Sequence, residues 1–211
     1  MPAPRPRSRQ ARAGARTTSH RTRLDVEERR TRLLELGLEL FGNRPYDEIS
    51  IGELAAAAGI SKGLLYHYFP GKHEFYVACV RMAADQLLAR TDPQSPLDPL
   101  ERLARGLDAY LDFVEERGRA YVTLFRGGVG ADHDVARIVD ETRDAIVSRL
   151  MAHLGGAQHP RARNALRAWV GLTEAAILDW VEHKDVDRNQ VVELLVAAMA
   201  SVVQAAGIGS R

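Results

Sequence analysis

Residues 50–69, SIGELAAAAGISKGLLYHYF, constrain the fold of this chain more than any other segment. Ser50 and Glu53 have the spacing of a capping box, which predicts that a short helix begins there and stops at Gly59. Ser61 predicts the start of a second short helix, which ends at the following Pro-Gly pair. A glycine between two helices allows the positive φ angle of a tight turn. The segment therefore predicts a helix-turn-helix.

The second helix of this pattern is expected to present a mostly polar face outward, with Leu65 pointing inward toward Leu54 and Ala58. Helices of this kind insert into the major groove of DNA. An outward leucine can meet a thymine methyl group, and Tyr and His can donate to phosphate oxygens. A serine at a helix N-terminus also favours phosphate. We expect DNA contacts from Ser50, Ser61, Lys62, Gly63, Leu64, Tyr66, His67 and Lys72.

A purely structural role for the two short helices stays open at this point. Two capped helices can simply form part of a small bundle. Glu53 and Glu74 oppose a DNA-binding role unless their carboxylates face away, because carboxylates repel phosphate.

The remainder of the chain follows the helical period, and no run shows the alternation of a half-buried strand. We therefore predict an all-α fold. Asp25, with Glu28 three residues later, predicts the start of the first helix, which ends near Gly42. Further helices are expected at about 72–90, 98–117, 118–127, 134–154, 160–184 and 187–205.

The N-terminal segment is strongly basic. Residues 1–24 contain seven arginines and no acid, whereas the rest of the chain is mildly acidic and the net charge is +1. The segment has no large apolar residue before Leu24, so we expect a disordered arm. Such an arm is either a solvated tail or a source of phosphate contacts. If it binds DNA, nonspecific affinity is favoured over minor-groove reading.

Composition limits the remaining classes. The hydrophobic fraction of 45% and the charged fraction of 27% are those of an ordinary soluble protein. No continuous run of about 18 apolar residues predicts a membrane helix, and no apolar stretch follows the basic N-terminus as in a secretory signal. Cys79 is the only cysteine, which excludes an intramolecular disulfide. We expect a cytoplasmic protein without a membrane partner, with Cys79 in the core.

The stretch RLLELGLELFGNRPYDEISIGELAAAAGISKGLLYHYFPGKHEF resembles the N-terminal domain of TetR-family transcription regulators, over about residues 30–78. The resemblance implies a homodimer with a three-helix DNA-binding domain, here residues 25–75, and a ligand-sensing body, here residues 76–211. It also implies that the DNA-contact positions given above, apart from Leu64, lie at or near DNA, together with Leu65. We keep Leu65 as a packing residue. Two positions depart from the family pattern, Pro45 and Gly52. Gly52 removes a possible DNA contact.

By the same resemblance, the last two long helices pair with those of a second subunit, and residues 187–205 carry a wide apolar stripe that suits this. A ligand cavity is expected between the body helices. An aromatic stripe also suits ordinary core packing. Glu174 lies among apolar residues, and we favour a solvated carboxylate over one buried against Arg143 or a cationic ligand. The candidate ligand residues are Phe113, Tyr121, Phe125, Arg143, Trp169, Thr173, Glu174 and Trp180.

No catalytic or metal-binding motif emerges from the sequence. Asp132, His133 and Asp134 resemble a metal cluster, but an aspartate after a glycine-rich turn is better interpreted as an N-cap. No phosphate loop or nucleophile elbow is present. We predict a non-enzymatic regulator without a cofactor, most often a repressor that a small-molecule effector releases from a palindromic operator. The alternatives are a helical carrier protein with only nonspecific nucleic-acid affinity, and, least favoured, an all-α enzyme.

Overall fold

A computed structural model describes residues 14–91, 98–118, 122, 132–154 and 159–207, with side chains from residue 26 onward. These residues form eight α-helices and no strand, which confirms the all-α prediction. A single 3-10 turn, Tyr46–Glu48, follows the first helix. The helices are α1 Gly14–Asn43, α2 Ile51–Ala57, α3 Lys62–Tyr68, α4 Lys72–Arg90, α5 Pro99–Glu116, α6 His133–His153, α7 Pro160–His183 and α8 Arg188–Ala206.

Aspartate side chains cap the starts of three long helices, and the sequence predicted the cap at Asp132. Asp98 caps α5, Asp132 caps α6 and Asp187 caps α8, each by accepting hydrogen bonds from backbone amides of the first turn. Each cap satisfies donors that have no partner within the helix. The helix predicted at 118–127 falls almost entirely on residues outside the described ranges.

The predicted start of the first helix is wrong. Helix α1 begins at Gly14, eleven residues before Asp25, so Asp25 is not an N-cap, and the backbone of residues 14–24 is helical rather than disordered. No proline occurs between Pro6 and Pro45, and alanine and arginine are good helix formers. Adding residues to an existing helix avoids the cost of nucleation. The arginines at 5, 7, 9 and 12 lie outside the described residues.

The N-terminal core joins α1, α2, α3 and the first half of α4. Its fully buried members include Ile49, Leu54, Leu65, Phe75 and Cys79. Helices α1 and α4 cross closely at Gly37, where an added Cβ would lie 2.5 Å from the Cys79 sulfur. The placement of Cys79 in the core is therefore confirmed.

The C-terminal body packs α5, α6, α7 and α8 against the second half of α4. Its core contains Leu111, Val114, Leu166, Ile177 and Leu195, all essentially inaccessible to solvent. A smaller cluster of Val80, Val135 and Ile138 lies where α4 meets the start of α6. Helix α4 therefore contributes to the N-terminal core at one end and to the body core at the other.

Helix α8 is the one described helix that is long and apolar enough, by length and composition, to cross a membrane. This is weak evidence, because a core helix of a soluble protein passes the same test. In this chain Leu195 and Met199 of α8 are buried in the body core.

Candidate nucleic-acid interface and ligand cavity

The turn between α2 and α3 has the positive φ angle that was predicted for its glycine. Gly59 has φ of +65°, which a residue with a side chain rarely adopts. Its amide donates to Ala56 O, and the Ile60 amide donates to Ala55 O at 3.0 Å. These two bonds form a Schellman motif that ends α2 and redirects the chain. Ser61 then caps α3 by accepting from the Leu64 amide.

Helix α3 has one buried face and one exposed face. Leu65 is 1% exposed and packs in the N-terminal core, which confirms its inward orientation. Tyr66 is 50% exposed although it is large and apolar. The other predicted contact residues on this surface are exposed, except for the half-buried Leu64 and Lys72; the exposed ones are Ser50, Ser61, Lys62, Gly63 and His67. The residues predicted to meet DNA are therefore exposed or half-buried, as contact with DNA would require.

The two acids that opposed DNA binding are both engaged in local structure. Glu53 accepts from the Ser50 amide at 2.8 Å and from Arg44 at 2.9 Å. These hydrogen bonds, the Ser50 amide first, lower the pKa of Glu53 to about 2. Glu74 turns back toward the start of α4, where its Oε2 would lie 2.6 Å from a Cβ on Gly71. The Glu53 carboxylate therefore serves the N-terminus of α2, and Glu74 lies in the first turn of α4.

Lys62 occupies space that Gly52 leaves empty. A Cβ on Gly52 would lie 2.9 Å from Cε and 3.0 Å from Nζ of Lys62. The lysine at the start of α3 therefore lies across α2 and brings its ammonium group close to Ser50, whose Oγ would be 3.6 Å from the same Cβ. Because Gly52 has no side chain, the Lys62 ammonium group can lie over α2, and this helix gains a positive charge from α3.

Lys72 also lies near this surface but has a partner. Its ammonium group stands 4.0 Å from the centre of the Tyr46 ring, a cation–π contact. Tyr46 belongs to an aromatic cluster with Phe41 and Tyr76. Burial of the Tyr46 hydroxyl, with Asp47 nearby, raises its pKa above the ordinary value.

The body contains a cavity of about 730 Å³ between α4, α5, α6, α7 and α8. Its wall is mainly apolar and includes Leu107, Ile146, Val170 and Met199. Such a volume and lining are typical of small-molecule sites. Three of the predicted ligand residues line it, namely Trp169, Thr173 and Glu174. Tyr110, one of the aromatic residues that the sequence suggested for a cavity between helices, lines it as well. Arg102 and Arg149 also line it and were not predicted.

The favoured interpretation of Glu174 as a solvated carboxylate is wrong. Its side chain is 13% exposed, and Arg143 holds it from α6. The Arg143 Nε lies 2.9 Å from one carboxylate oxygen and Nη2 lies 2.7 Å from the other. The hydrogen bonds to Glu174 raise the pKa of Arg143 above its ordinary value. A paired geometry is what a largely buried carboxylate requires, because burial without a partner is costly.

The remaining predicted ligand residues lie apart from the main cavity. Phe113 and Arg143 line a neighbouring cavity of about 60 Å³, which shares Glu174 with the larger one. Trp180 lines neither of these two cavities. Its indole donates to Val186 O, and Lys184 Nζ lies 3.3 Å from its ring centre. Helix α7 carries it about 16 Å beyond Trp169. Tyr121 and Phe125 lie outside the described residues.

A contact between α4 and α6 was not anticipated. His73 Nε2 lies 2.9 Å from Asp132, whose other oxygen caps α6 by accepting from the Asp134 and Val135 amides. The N-cap interpretation of Asp132 is confirmed. Burial of Asp132 works against its ionisation, yet these amides and His73 lower its pKa overall. His73, Asp132 and Asp134 have the residue types of a metal site, whereas His133 is not part of the group.

An exposed polar recognition helix, joined through one long helix to a bundle with an apolar cavity, defines a DNA-binding regulator with a sensor body. Comparison with known proteins agrees. The family model "Bacterial regulatory proteins, tetR family" matches residues 33–79, and "Tetracyclin repressor-like, C-terminal domain" matches residues 99–202.

Individual relatives extend the match over most of the chain. A TetR-family transcriptional regulator from Streptomyces coelicolor, of known structure, is 38% identical, with 84% of this chain and 83% of that one covered and a TM-score of 0.75. The transcriptional activator FasR of Mycolicibacterium smegmatis is 28% identical over 81% of both chains. The transcriptional repressor KstR2 of Rhodococcus jostii is 27% identical over 75% of this chain and 70% of its own.

The chain belongs to the TetR family. It is a helix-turn-helix transcriptional regulator and not an enzyme, and the comparisons give the carrier alternative no support.

Proposed function

We propose that this chain is a cytoplasmic homodimeric repressor whose two α3 helices enter successive major grooves of a palindromic operator, and that a small molecule bound in the body cavity releases it. Dimeric helix-turn-helix proteins place their half-sites one or more helical turns apart, about 34 Å for one turn. The relatives are named both as activators and as repressors. Repression, the commoner mode implied by the family, is the sign we propose.

The observation that carries this proposal is the course of α4. The helix begins at Lys72, beside the α3 surface, and its far end supplies Leu87 to the cavity wall. It also packs along α6, where His73 meets Asp132 and Arg81 meets Glu141 at 2.6 Å. A ligand that favours one position of α4 therefore changes the orientation of α3.

Helix α6 links the same ligand cavity to α4 by a second route. Its Arg143 holds Glu174 in the cavity wall, and its Arg149 donates to the Leu88 carbonyl of α4. A ligand shifts the balance between two conformations only by binding them unequally. We propose that the ligand-bound arrangement of α4 and α6 sets the two α3 helices at a spacing that does not match the operator.

The proposed dimer surface lies on α7 and α8. Leu172 is 45% exposed and Leu194 is 61% exposed, on two helices that pack against each other. Large exposed apolar side chains on neighbouring helices are typical of subunit contacts. A second copy related by a two-fold axis would bury both and form a four-helix bundle.

Selection of bound fragments from a random double-stranded DNA pool at about 0.15 M salt tests the proposal. We expect recovery of one inverted repeat. Recovery of no motif, with binding that collapses as salt rises, would contradict operator recognition and leave only the nonspecific affinity of the basic arm.

The variant Leu194→Glu tests the dimer directly. We expect it to sediment as a monomer and to lose affinity for the inverted repeat while retaining its helical content. Leu100→Glu, at a residue 55% exposed on α5, is the matched control and should remain dimeric. Dimerisation of both variants would contradict the proposed surface.

A further inference from the structure

Three side chains with metal-binding donor atoms meet where α4 and α6 begin. His73 lies in the first turn of α4, Asp132 is the N-cap of α6, and Asp134 lies in the first turn of α6. One donor atom from each of them lies within 4.8 Å of the other two. His73 and Asp132 are 59 positions apart, so the tertiary structure assembles a mixed set of one imidazole and two carboxylates from two helices.

The spacing of these donor atoms suits a single ion. Bonds from zinc to nitrogen or oxygen are about 2.0–2.2 Å long, so neighbouring donors around one ion stand about 3.0–3.3 Å apart and opposite donors about 4.2 Å apart. The Nε2 atom of His73 already lies 2.9 Å from Oδ2 of Asp132. Side-chain shifts of about 1 Å would therefore bring all three donors to bonding distance of one ion.

The surrounding structure holds these groups in place. Oδ1 of Asp132 accepts from the amides of Asp134 and Val135, which fixes the carboxylate, while Oδ2 contacts His73. Val135 also belongs to the buried cluster, with Val80, that packs α4 against α6. Hydrogen bonds from the surrounding protein orient metal ligands and raise metal affinity. The group therefore has the support that a metal site requires.

The ion pairs around this group leave a negative charge. Arg137 contacts Asp134 at 3.0 Å and Glu141 at 3.4 Å, and Arg81 contacts Glu141 at 2.6 Å. In this network two arginines face three carboxylates, of which Asp132 is the third. One negative charge remains when the imidazole is neutral, which is the form that binds a metal ion. The local charge therefore favours a cation.

We propose that His73, Asp132 and Asp134 bind one divalent metal ion of the zinc type, which accepts both nitrogen and oxygen ligands. Imidazole is a ligand of zinc, copper, iron and nickel, whereas magnesium and calcium are bound mainly by oxygen. Water would complete the coordination. Helix α4 begins at the DNA-binding domain and α6 belongs to the body, so the ion would join the two parts of the chain. It would favour the arrangement in which these two helix ends meet.

Direct titration tests the site. The full chain, without an affinity tag, is treated with a chelator, dialysed and titrated with Zn²⁺ and separately with Mg²⁺ in a calorimeter. We expect one Zn²⁺ per chain, bound at least about tenfold more tightly than Mg²⁺. At a Zn²⁺ concentration about a hundredfold above the Kd, the Tm should rise by about 5–10 °C, because the ion binds the folded chain in preference to the unfolded one.

Variants identify the ligands. His73→Gln and Asp134→Asn should each weaken Zn²⁺ binding about tenfold or more, and at the same Zn²⁺ concentration each should retain no more than about half of the rise in Tm. Asp132→Asn should also weaken binding while α6 stays capped, since asparagine is as good an N-cap as aspartate. His133→Gln is the matched control, because His133 lies between the two aspartates in sequence but outside the group, and it should bind Zn²⁺ as the parent protein does.

Three results would overturn the proposal: no binding of Zn²⁺, equal affinities for Zn²⁺ and Mg²⁺, or Zn²⁺ binding that survives both His73→Gln and Asp134→Asn. A second histidine, the exposed His183, lies 3.4 Å from the carboxylate of Asp179. Loss of Zn²⁺ binding in His183→Gln would assign the ion to that surface pair and refute the site between α4 and α6. The function proposed above is judged separately, by recovery of the inverted repeat, and does not depend on the ion.

Discussion

Replacing Gly37 by alanine tests whether the contact between α1 and α4 is as close as the structure shows. The added Cβ would lie 2.5 Å from the Cys79 sulfur and 2.6 Å from Cζ of Phe75. Carbon atoms normally approach to about 3.5–4.0 Å, so the overlap is about 1 Å. Both neighbours are fully buried and have little space to move.

The magnitude follows from two opposing effects. Overpacking of a core costs about 1–3 kcal/mol of unfolding free energy. Replacing a glycine within a helix returns about 1 kcal/mol, because alanine has the higher helix propensity. An overlap of about 1 Å with two fully buried neighbours corresponds to the upper part of the overpacking range, about 2–3 kcal/mol. After the gain in helix propensity, we expect Gly37→Ala to destabilise the protein by about 1–2 kcal/mol. For a chain of this size, this lowers Tm by about 3–6 °C.

Thermal and urea unfolding at a fixed protein concentration measure the change, since a dimer's Tm depends on concentration. Gly63→Ala is the matched control, because its Cβ would meet only the Ser61 oxygen at 3.9 Å. It should stabilise the protein by about 0.5–1 kcal/mol. Cys79→Ala should make room for the added Cβ of Gly37→Ala. The double variant should therefore lose less unfolding free energy than the sum of the losses of the two single variants. A Gly37→Ala protein as stable as the parent would refute the reasoning.

Three further predictions concern the charged groups. Lys62→Ala should reduce the slope of log affinity against log salt by about 1.8, that is, about 0.9 for each of the two subunits. Gly52→Ala should weaken operator binding in the parent protein but not in the Lys62→Ala background, and additive effects would show that Gly52 does not position the lysine. Because the pKa of Glu53 is lowered to about 2, its ionised carboxylate stabilises the folded protein above pH 4.5, and this stabilisation is lost as the pH falls toward 2. In acid unfolding, the Glu53→Gln variant should therefore lose less stability than the parent protein over this pH range. Arg143→Met leaves Glu174 unpaired and should lower the free energy of unfolding, measured in urea, by about 2–3 kcal/mol. Replacement of both Arg143 and Glu174 by methionine should be nearly neutral. An equal loss of stability in the single and the double variant would contradict a buried pair.

Short-range signals account for what could be predicted in the DNA-binding domain. The Ser50 capping box, the Ser61 cap and the positive φ of Gly59 each depend on residues within four or five positions of one another. Leu65 was placed inward because its phase on a short helix matches that of Leu54 across the turn. Phase and capping are local properties, so the sequence determined the helix-turn-helix and its exposed face.

Local signals also have a limit in this domain. The start of α1 was predicted at Asp25 because that residue has the spacing of a cap, yet the helix continues back to Gly14. A capping pattern is compatible with a helix interior when the preceding residues also favour helix. The position of Lys62 over Gly52 involves two helices and could not be obtained from either alone.

The sequence by itself determined an all-α chain, the ends of most helices and the exposed face of α3, because helix period, caps and turns act over a few residues. The tertiary structure decided which side chains meet in the body. Arg143 and Glu174 are 31 positions apart, and His73 and Asp132 are 59 apart. Trp180 follows the helical phase of Trp169 but lies beyond the cavity, because phase fixes direction around an axis and not depth along it.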